Sequence, residues 1–145
     1  GKGIYVRVHG KSWKKMKSKL KELSSRRSVQ SIRPALAKIK EYMRGWLNYY
    51  GIADMKNRIE ELNSWLCHRI RMCIWKQWKK PKTKKRNLIK LGIPEYFAQE
   101  AANSRRKHWY VSGMGAVNRA LTKERLISSG FYDLATAYQS VHVNC

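Results

Sequence analysis

The sequence has few acidic residues and no long apolar run, and each shortage excludes a class of function. It contains 9 Asp and Glu against 32 Lys and Arg, a net charge of +23 at pH 7. A chain this basic repels itself unless a polyanion neutralises it, so nucleic acid is the leading partner. The apolar runs fall far short of the ~20 residues that cross a membrane, which predicts no membrane insertion and, with the missing signal peptide, a cytoplasmic location.

Carboxylates are too few and too scattered for an active site. Asp54 and Asp133 are the only aspartates, and adjacent Glu60 and Glu61 diverge on a helix. Two-metal phosphoryl transfer needs carboxylates that converge on ions ~3.5–4 Å apart. The four histidines show no metal-ligand spacing either. We therefore predict no catalytic residue, metal or cofactor in this chain.

Cysteine is equally scarce. The chain has Cys67, Cys73 and Cys145, an odd count with no Cys-x-x-Cys pair. This pattern favours reduced thiols over a disulfide framework or a zinc site.

Three long apolar stripes predict a helical bundle. Alternation over residues 3–10 first predicts a short strand. Helices are then expected from an N-cap at Ser12, from Ser31 to a C′ glycine at Gly51, and from Asp54 to about Trp78. Their stripes place these residues in the core: Trp13, Leu20, Trp46, Tyr50, Leu62, Leu66.

The second half predicts shorter elements. Short helices are expected over 83–92, from Pro94 to about residue 105, and over 116–121, 122–130 and 131–139, with residues 107–115 as a loop. The fold class is therefore all-α: a three-helix bundle with a short N-terminal strand and additional short C-terminal helices. The expected divisions are 1–10, 11–80 and 81–145, the last a basic linker followed by a helical segment.

The positive charge is concentrated in residues 11–90, with 24 Lys or Arg against 5 acids. The stretch "WKQWKKPKTKKRNLIK" (75–90) holds eight bases and no acid. Exposed faces normally mix signs, so this bias predicts contacts with phosphates. The candidate nucleic-acid-binding residues are Lys14, Lys15, Arg44, Arg69, Arg71, Lys76, Lys79, Lys80, Lys82, Lys84, Lys85, Arg86, Arg105, Arg106, Lys107 and Trp109.

Some aromatic residues next to bases have two possible roles. Trp75 and Trp78 favour packing in the core or at the helix end. Trp109 and Tyr110, in a glycine-flanked segment, suit stacking on nucleobases as well as packing.

Two long segments resemble a known family. "EYMRGWLNYYGIADM" (41–55) and "LNSWLCHRIRMCIWKQWKKPKTKKRNLIKLGIP" (62–94) are similar to the maturase-specific domain, or domain X, of group II intron reverse transcriptases. Residues 102–138 resemble the C-terminal continuation of bacterial members, and residues 3–23 resemble the end of their palm and the start of their thumb. The resemblance implies that the helical segment after Pro81, within 81–145, is DNA-binding-like. The resemblance covers almost the whole chain, and the sequence begins at Gly1, so a piece of a longer protein is expected.

The resemblance implies a thumb without a polymerase centre. The family's palm carries a Tyr-x-Asp-Asp motif that binds catalytic Mg²⁺, and this chain lacks that motif. The implied partners are group II intron RNA, an RNA/DNA template–primer duplex and target DNA. The implied function is to grip the intron RNA, promote its splicing and help hold the template–primer during reverse transcription.

Two other classes remain open from the residues alone. A DNA-binding module of a recombinase or integrase would also have three helices and a basic face, although the third helix is long for a helix-turn-helix. A polybasic scaffold on a membrane surface would need an exposed apolar face, and the bundle already uses the apolar stripes.

Overall fold

The computed structural model describes residues 7–27 and 29–143, and within them every regular element is a helix, with no strand. The all-α class is therefore confirmed. The helices of these two ranges are α1 Gly10–Leu23, α2 Ile32–Tyr50, α3 Lys56–Gln77, α4 Pro81–Lys90, α5 Glu95–Ala102, α6 His108–Ser112, α7 Gly115–Ala120, α8 Lys123–Ser128 and α9 Leu134–Val143.

The expected N-terminal strand is not seen. Residues 3–6 lie outside the described ranges, residues 7–9 are irregular, and α1 already begins at Gly10. The N-cap is His9 rather than Ser12: the imidazole Nδ1 of His9 accepts a hydrogen bond from the Lys11 amide at 3.2 Å. The Ser12 hydroxyl instead accepts from the Tyr50 hydroxyl at 3.3 Å, which ties α1 to α2.

A first core cluster joins α1, α2 and α3 with residues of α8, α9 and the turn before α9. Leu20, Trp46, Leu62 and Leu66 are buried in it. Trp13 and Tyr50 are partly buried and pack against it. The other buried members are Met16, Leu36, Ile39, Met43, Leu47, Ala53, Met55, Ile59, Cys67, Ile70, Leu126, Phe131, Leu134 and Tyr138.

Helix α9 returns to the bundle and is fixed there by buried polar contacts. The Tyr138 hydroxyl donates to the Ala53 carbonyl at 2.6 Å and accepts from the Met55 amide at 3.1 Å. Gly51 follows α2 with an ordinary φ of −62°, so it is not the left-handed C′ glycine expected from the sequence. A Cβ at Gly51 would collide with the Leu47 carbonyl and with Val141 of α9, so glycine is needed for this close approach.

A second core cluster surrounds Trp75, near the end of α3. The indole is 2% exposed, and Trp78 packs partly buried at its side with ring centroids 5.8 Å apart. Helices α4 to α7 and the residues that follow α4 and α7 supply the rest: Leu88, Ile93, Ala98, Ala101, Val111, Val117, Ala120 and Leu121. Ile74 packs against both clusters. Helix α3 therefore belongs to both, and the division drawn at residue 80 stays a prediction.

Two local expectations differ from the structure. The stretch expected as a loop over 107–115 contains α6, because Trp109 within it is fixed against His68 of α3. The helix expected from Thr83 begins at Pro81, since proline at the first helical position needs no hydrogen bond to its missing N–H. The helix expected over 122–130 is α8, which Thr122 caps by accepting a hydrogen bond from the Arg125 amide at 3.2 Å.

Candidate nucleic-acid interface

Five of the predicted phosphate contacts are engaged within the protein. Arg69 and Arg71 are half-buried on α3, Lys76 is half-buried near its end, and Lys84 and Lys85 lie on α4. Each makes an intramolecular polar or ring contact. These five cations therefore stabilise the fold, and they are less accessible to a bound phosphate than exposed cations are.

Arg69 fastens the end of α1 to α3. Its Nε donates to the Ser24 hydroxyl at 2.7 Å, and its Nη2 donates to the carbonyls of Lys21 and Ser24 at 3.2 and 3.3 Å. These carbonyls lie at the C-terminus of α1, where a positive charge is favourable. Burial lowers the pKa of Arg69, but a guanidinium stays charged at neutral pH.

Arg71 and Lys76 fasten two other segments to α3. Arg71 Nε donates to the Leu121 carbonyl at 2.6 Å, at the end of α7. Lys76 Nζ donates to the Arg26 carbonyl at 2.7 Å, in the connection between α1 and α2. Both bonds hold connecting chain against the long central helix.

Lys84 and Lys85 contribute to the second cluster. The Lys84 ammonium lies 4.9 Å from the Trp75 ring centroid, and burial of this side chain, which is 8% exposed, lowers its pKa. Lys85 Nζ lies 3.2 Å from the Glu95 carboxylate and 3.4 Å from the Gln99 side-chain oxygen. Lys85 thus links α4 to α5.

The remaining ten predicted cations are exposed, and within residues 7–27 and 29–143 none of them forms an ion pair. They lie on α1, on α2, on and before α4, and before α6: Lys14, Lys15, Arg44, Lys79, Lys80, Lys82, Arg86, Arg105, Arg106 and Lys107. Arg106 lies over the Tyr110 ring at 4.4 Å. These positions stay predictions as contacts, and the structure leaves them accessible.

His108 shows that basic groups from separate segments share one neighbourhood. Its pKa is lowered first by burial, then by the positive charges of Lys84, Arg26 and Lys76. These three residues come from α4, from the connection after α1, and from α3. The fold therefore gathers cations there that the sequence separates by up to 58 positions.

An open groove of about 520 Å³ lies between α1, α3 and α6. We call it the tryptophan groove, because three indoles and four cations line it and its lining contains no acid. Its residues are Trp13, Lys14, Lys17, Ser18 and Lys21 of α1, Trp65 and Arg69 of α3, and Trp109 of α6. Helix α2, with Arg44, contributes no residue to it.

Sequence reasoning missed Lys17 and Lys21 as candidates. A signal was present: positions 14, 17 and 21 are spaced by three and four residues, so their side chains share one face of α1. The face of α3 that meets them could not be read from spacing alone. Trp109 is 40% exposed and joins Trp13 and Trp65 in the groove.

A second cavity, of about 580 Å³, has a different character. It lies between the start of α3 and α9, and its lining mixes Lys56 and Arg58 with Asp54 and Glu60. His142 also lines it and lies 3.4 Å from the Asp54 carboxylate. Mixed charge suits a phosphate backbone less well than the lining of the tryptophan groove, whose charged residues are all basic.

The other chemical groups of the described chain show no reactive arrangement. No three or more His, Cys, Asp or Glu side chains of residues 7–27 and 29–143 cluster as metal ligands would. Burial raises the pKa of Cys67 to about 11 and also raises that of Cys73, which keeps both thiols protonated and poorly nucleophilic. In the same ranges, no helix combines the length and the apolar character needed to cross a membrane.

A family comparison explains this combination of a helical bundle and an accessible basic surface. The model of the family "Group II intron, maturase-specific domain" matches residues 13–92, more than half of the chain. The chain belongs to this family. The resemblance seen in residues 41–55 and 62–94 is thereby confirmed.

The maturase-specific domain functions in group II intron splicing. Membership of this family implies that the chain associates with group II intron RNA. The match spans α1 to α4 and ends at Gly92, so it includes most of the tryptophan groove and the whole basic stretch. A comparison with curated protein sequences finds no match. The family match gives no support to the recombinase alternative.

Proposed function

We propose that this maturase-specific domain binds group II intron RNA directly through its exposed cations and stabilises the RNA fold that is active in splicing. The observation that carries the proposal is the set of ten exposed, unneutralised cations on α1, α2, α4 and the segment before α6. Lys and Arg contacts to phosphates position a protein on RNA without reading its sequence. Recognition of one folded RNA then comes from matching shape.

The same surface suits a duplex held during reverse transcription. We propose that, in a longer parent protein, this domain acts as the thumb that grips the RNA/DNA template–primer and contacts target DNA. Polymerase chemistry and its Mg²⁺ would belong to a palm with a Tyr-x-Asp-Asp motif. The proposal rests on the family's thumb resemblance and on phosphate contacts, which serve any duplex.

The test replaces three cations at the predicted interface and compares them with three elsewhere. One variant combines Lys80→Gln, Lys82→Gln and Arg86→Gln, all on or next to α4. The matched control combines Lys56→Gln, Arg119→Gln and Arg125→Gln, which are also exposed. Both variants lose three charges, so their net charge is the same and only position differs.

Binding is measured by fluorescence anisotropy over a salt series. The probes are group II intron RNA, an unrelated structured RNA and a DNA duplex of the same length. The α4 variant should lower the slope of log K against log salt by about 2 to 3, because each phosphate contact contributes about 0.7 to 0.9. The control should change the slope little. Equal losses in both variants, or equal binding to all three probes at every salt concentration, would contradict the proposal.

A further inference from the structure

Two of the three indoles of the tryptophan groove, Trp13 and Trp109, pack against other rings of the protein. The Trp13 ring packs edge-on against Trp46, with centroids 5.9 Å apart, and the Arg58 guanidinium lies 4.0 Å from its centroid. Trp109 stacks on His68 with ring centroids 3.5 Å apart. Rings that are already fixed lose little conformational entropy when a ligand stacks on them.

Backbone contacts fix the position of Trp109 as well. Its carbonyl accepts hydrogen bonds from His68 Nε2 at 2.8 Å and from the Ser112 hydroxyl at 2.9 Å. Gly113 leaves room for the imidazole, since a Cβ there would lie 3.2 Å from the His68 ring. His68 thus covers one face of the Trp109 ring, while Trp109 is still 40% exposed.

The cations of the groove differ in mobility. Lys17 and Arg69 both lie over Trp65, with the Lys17 ammonium 4.9 Å and the Arg69 guanidinium 5.3 Å from its centroid. Arg69 is fixed by its bonds to Ser24 and Lys21. Lys17 is exposed, and the ring contact is the one interaction seen for its ammonium in the described chain. The Lys17 ammonium can therefore leave the ring for a phosphate at little cost.

We propose that the tryptophan groove binds one unpaired nucleotide, whose base stacks on Trp109 and whose phosphates are contacted by Lys14, Lys17 and Lys21. Rings that accept a stacked base need that base to have a free face, which a base inside a duplex does not offer. The groove volume of about 520 Å³ lies within the range of small-ligand sites. The inference rests on the proposed RNA binding and adds to it a preference for a bulged or looped nucleotide.

The first experiment needs no variant. Two RNA hairpins carry 2-aminopurine, either as a single-nucleotide bulge or paired within the stem, and their binding to the 145-residue chain is measured by anisotropy in moderate salt. We expect the bulged hairpin to bind on the order of 10-fold more tightly, because stacking adds affinity that phosphate contacts do not supply. We also expect binding to change the 2-aminopurine fluorescence of the bulged hairpin only, since stacking on an indole requires an accessible base.

Variants then locate the site. Trp109→Leu should bring the ratio of bulged to paired affinity close to one, whereas Trp109→Phe should keep much of it. Tyr96→Leu is the control: Tyr96 is an exposed aromatic on α5 that does not line the groove, and its loss should leave the ratio unchanged. Circular dichroism melts of all variants show whether the fold is retained.

The outcomes separate the two proposals. Equal affinity for both hairpins, or a bulge preference that survives Trp109→Leu in a folded protein, overturns the groove assignment and leaves RNA binding standing. Failure to bind either hairpin or intron RNA in moderate salt overturns both. The same bulge is then placed in a DNA hairpin. If the ratio of bulged to paired affinity equals that of the RNA hairpins, the site accepts any unpaired nucleotide. If the ratio is smaller for DNA, the site prefers a nucleotide of RNA.

Discussion

The first core cluster is built mainly from three helices of 14 to 22 residues, whereas the second is built from helices of 5 to 10 residues around the buried indole of Trp75. The first contains many large aliphatic side chains contributed by several helices. In the second, Ala98, Ala101 and Ala120 supply small contacts, and Trp75 is the largest buried group. Short helices are marginal alone, so the second region depends on α3 for its stability.

The largest expected effect comes from removing that indole. Trp75→Ala should lower the free energy of unfolding by about 3 to 5 kcal/mol, because it leaves a large cavity in a small cluster. Hydrogen exchange should show lost protection across α4 to α7 while α2 keeps its protection. The matched variant Leu66→Ala, at a fully buried position of the first cluster, should lower protection in both regions. Uniform loss in Trp75→Ala would mean that the two regions unfold as one.

The second effect is the loss of stability when the hydrogen bonds that hold the start of α9 against α3 are removed. The buried Asn63 donates to the Asp133 carboxylate at 2.6 Å and accepts from the Leu134 amide at 3.0 Å. Asn63→Ala leaves that amide without its partner and should cost about 1 to 3 kcal/mol in a denaturant titration. Asn57→Ala, at an exposed position of the same helix, is the control and should change stability little. Similar losses for both would show that the buried contacts add nothing.

The third effect is a change in stability at Lys79, in the connection between α3 and α4. Lys79 follows α3 with φ at 48°, a left-handed conformation that costs a residue with a Cβ roughly 1 kcal/mol. Lys79→Gly should therefore be more stable than Lys80→Gly by up to about 1 kcal/mol, since Lys80 has an ordinary φ of −88° and both variants lose one charge. Thermal melts compare the two. A less stable Lys79→Gly would show that the strain is absent or compensated.

The smallest effect is a pH dependence where the regions meet. The pKa of His108 is lowered in the folded protein, so between that pKa and 6.5 the unfolded chain binds more protons and stability rises with pH. Stability should therefore fall as pH is lowered from about 6.5, and His108→Gln should reduce the fall. Bound phosphate would offset Lys84, Arg26 and Lys76, so RNA affinity should increase in the same acidic range. If the unchanged protein and His108→Gln show the same dependence of stability on pH, His108 is excluded as its cause.

The sequence predicted the long helices better than the short ones for a physical reason. The ends of α2 and α3 lie within two residues of expectation, because each helix carries a complete apolar stripe. Helix α6 was missed, since it depends on contacts between Trp109 and His68, 41 residues away. The cap of α1 was wrong because Ser12 bonds to Tyr50, a partner that local sequence does not reveal.

The charge pattern predicted a basic surface, but it did not show which of the basic residues are exposed and which are bonded within the protein. Lys80 and Lys85 look alike in the sequence, yet one is exposed and the other is paired with Glu95. Burial of Arg69 and Lys84 follows from packing against Trp65 and Trp75, which helical periodicity does not specify. The tryptophan groove likewise requires three helices to be placed side by side.

Helix α3 also sets a distance. The tryptophan groove includes Trp65, and α3 ends at Gln77, 12 positions further along and just before the exposed Lys79 and Lys80. At ~1.5 Å per residue, roughly 18 Å of helix axis separates Trp65 from that end. A helix buried in two cores does not shorten or bend easily. Under the proposed binding mode, we therefore expect an RNA that contacts both the groove and the lysines before α4 to separate its unpaired nucleotide from its stem by roughly that length.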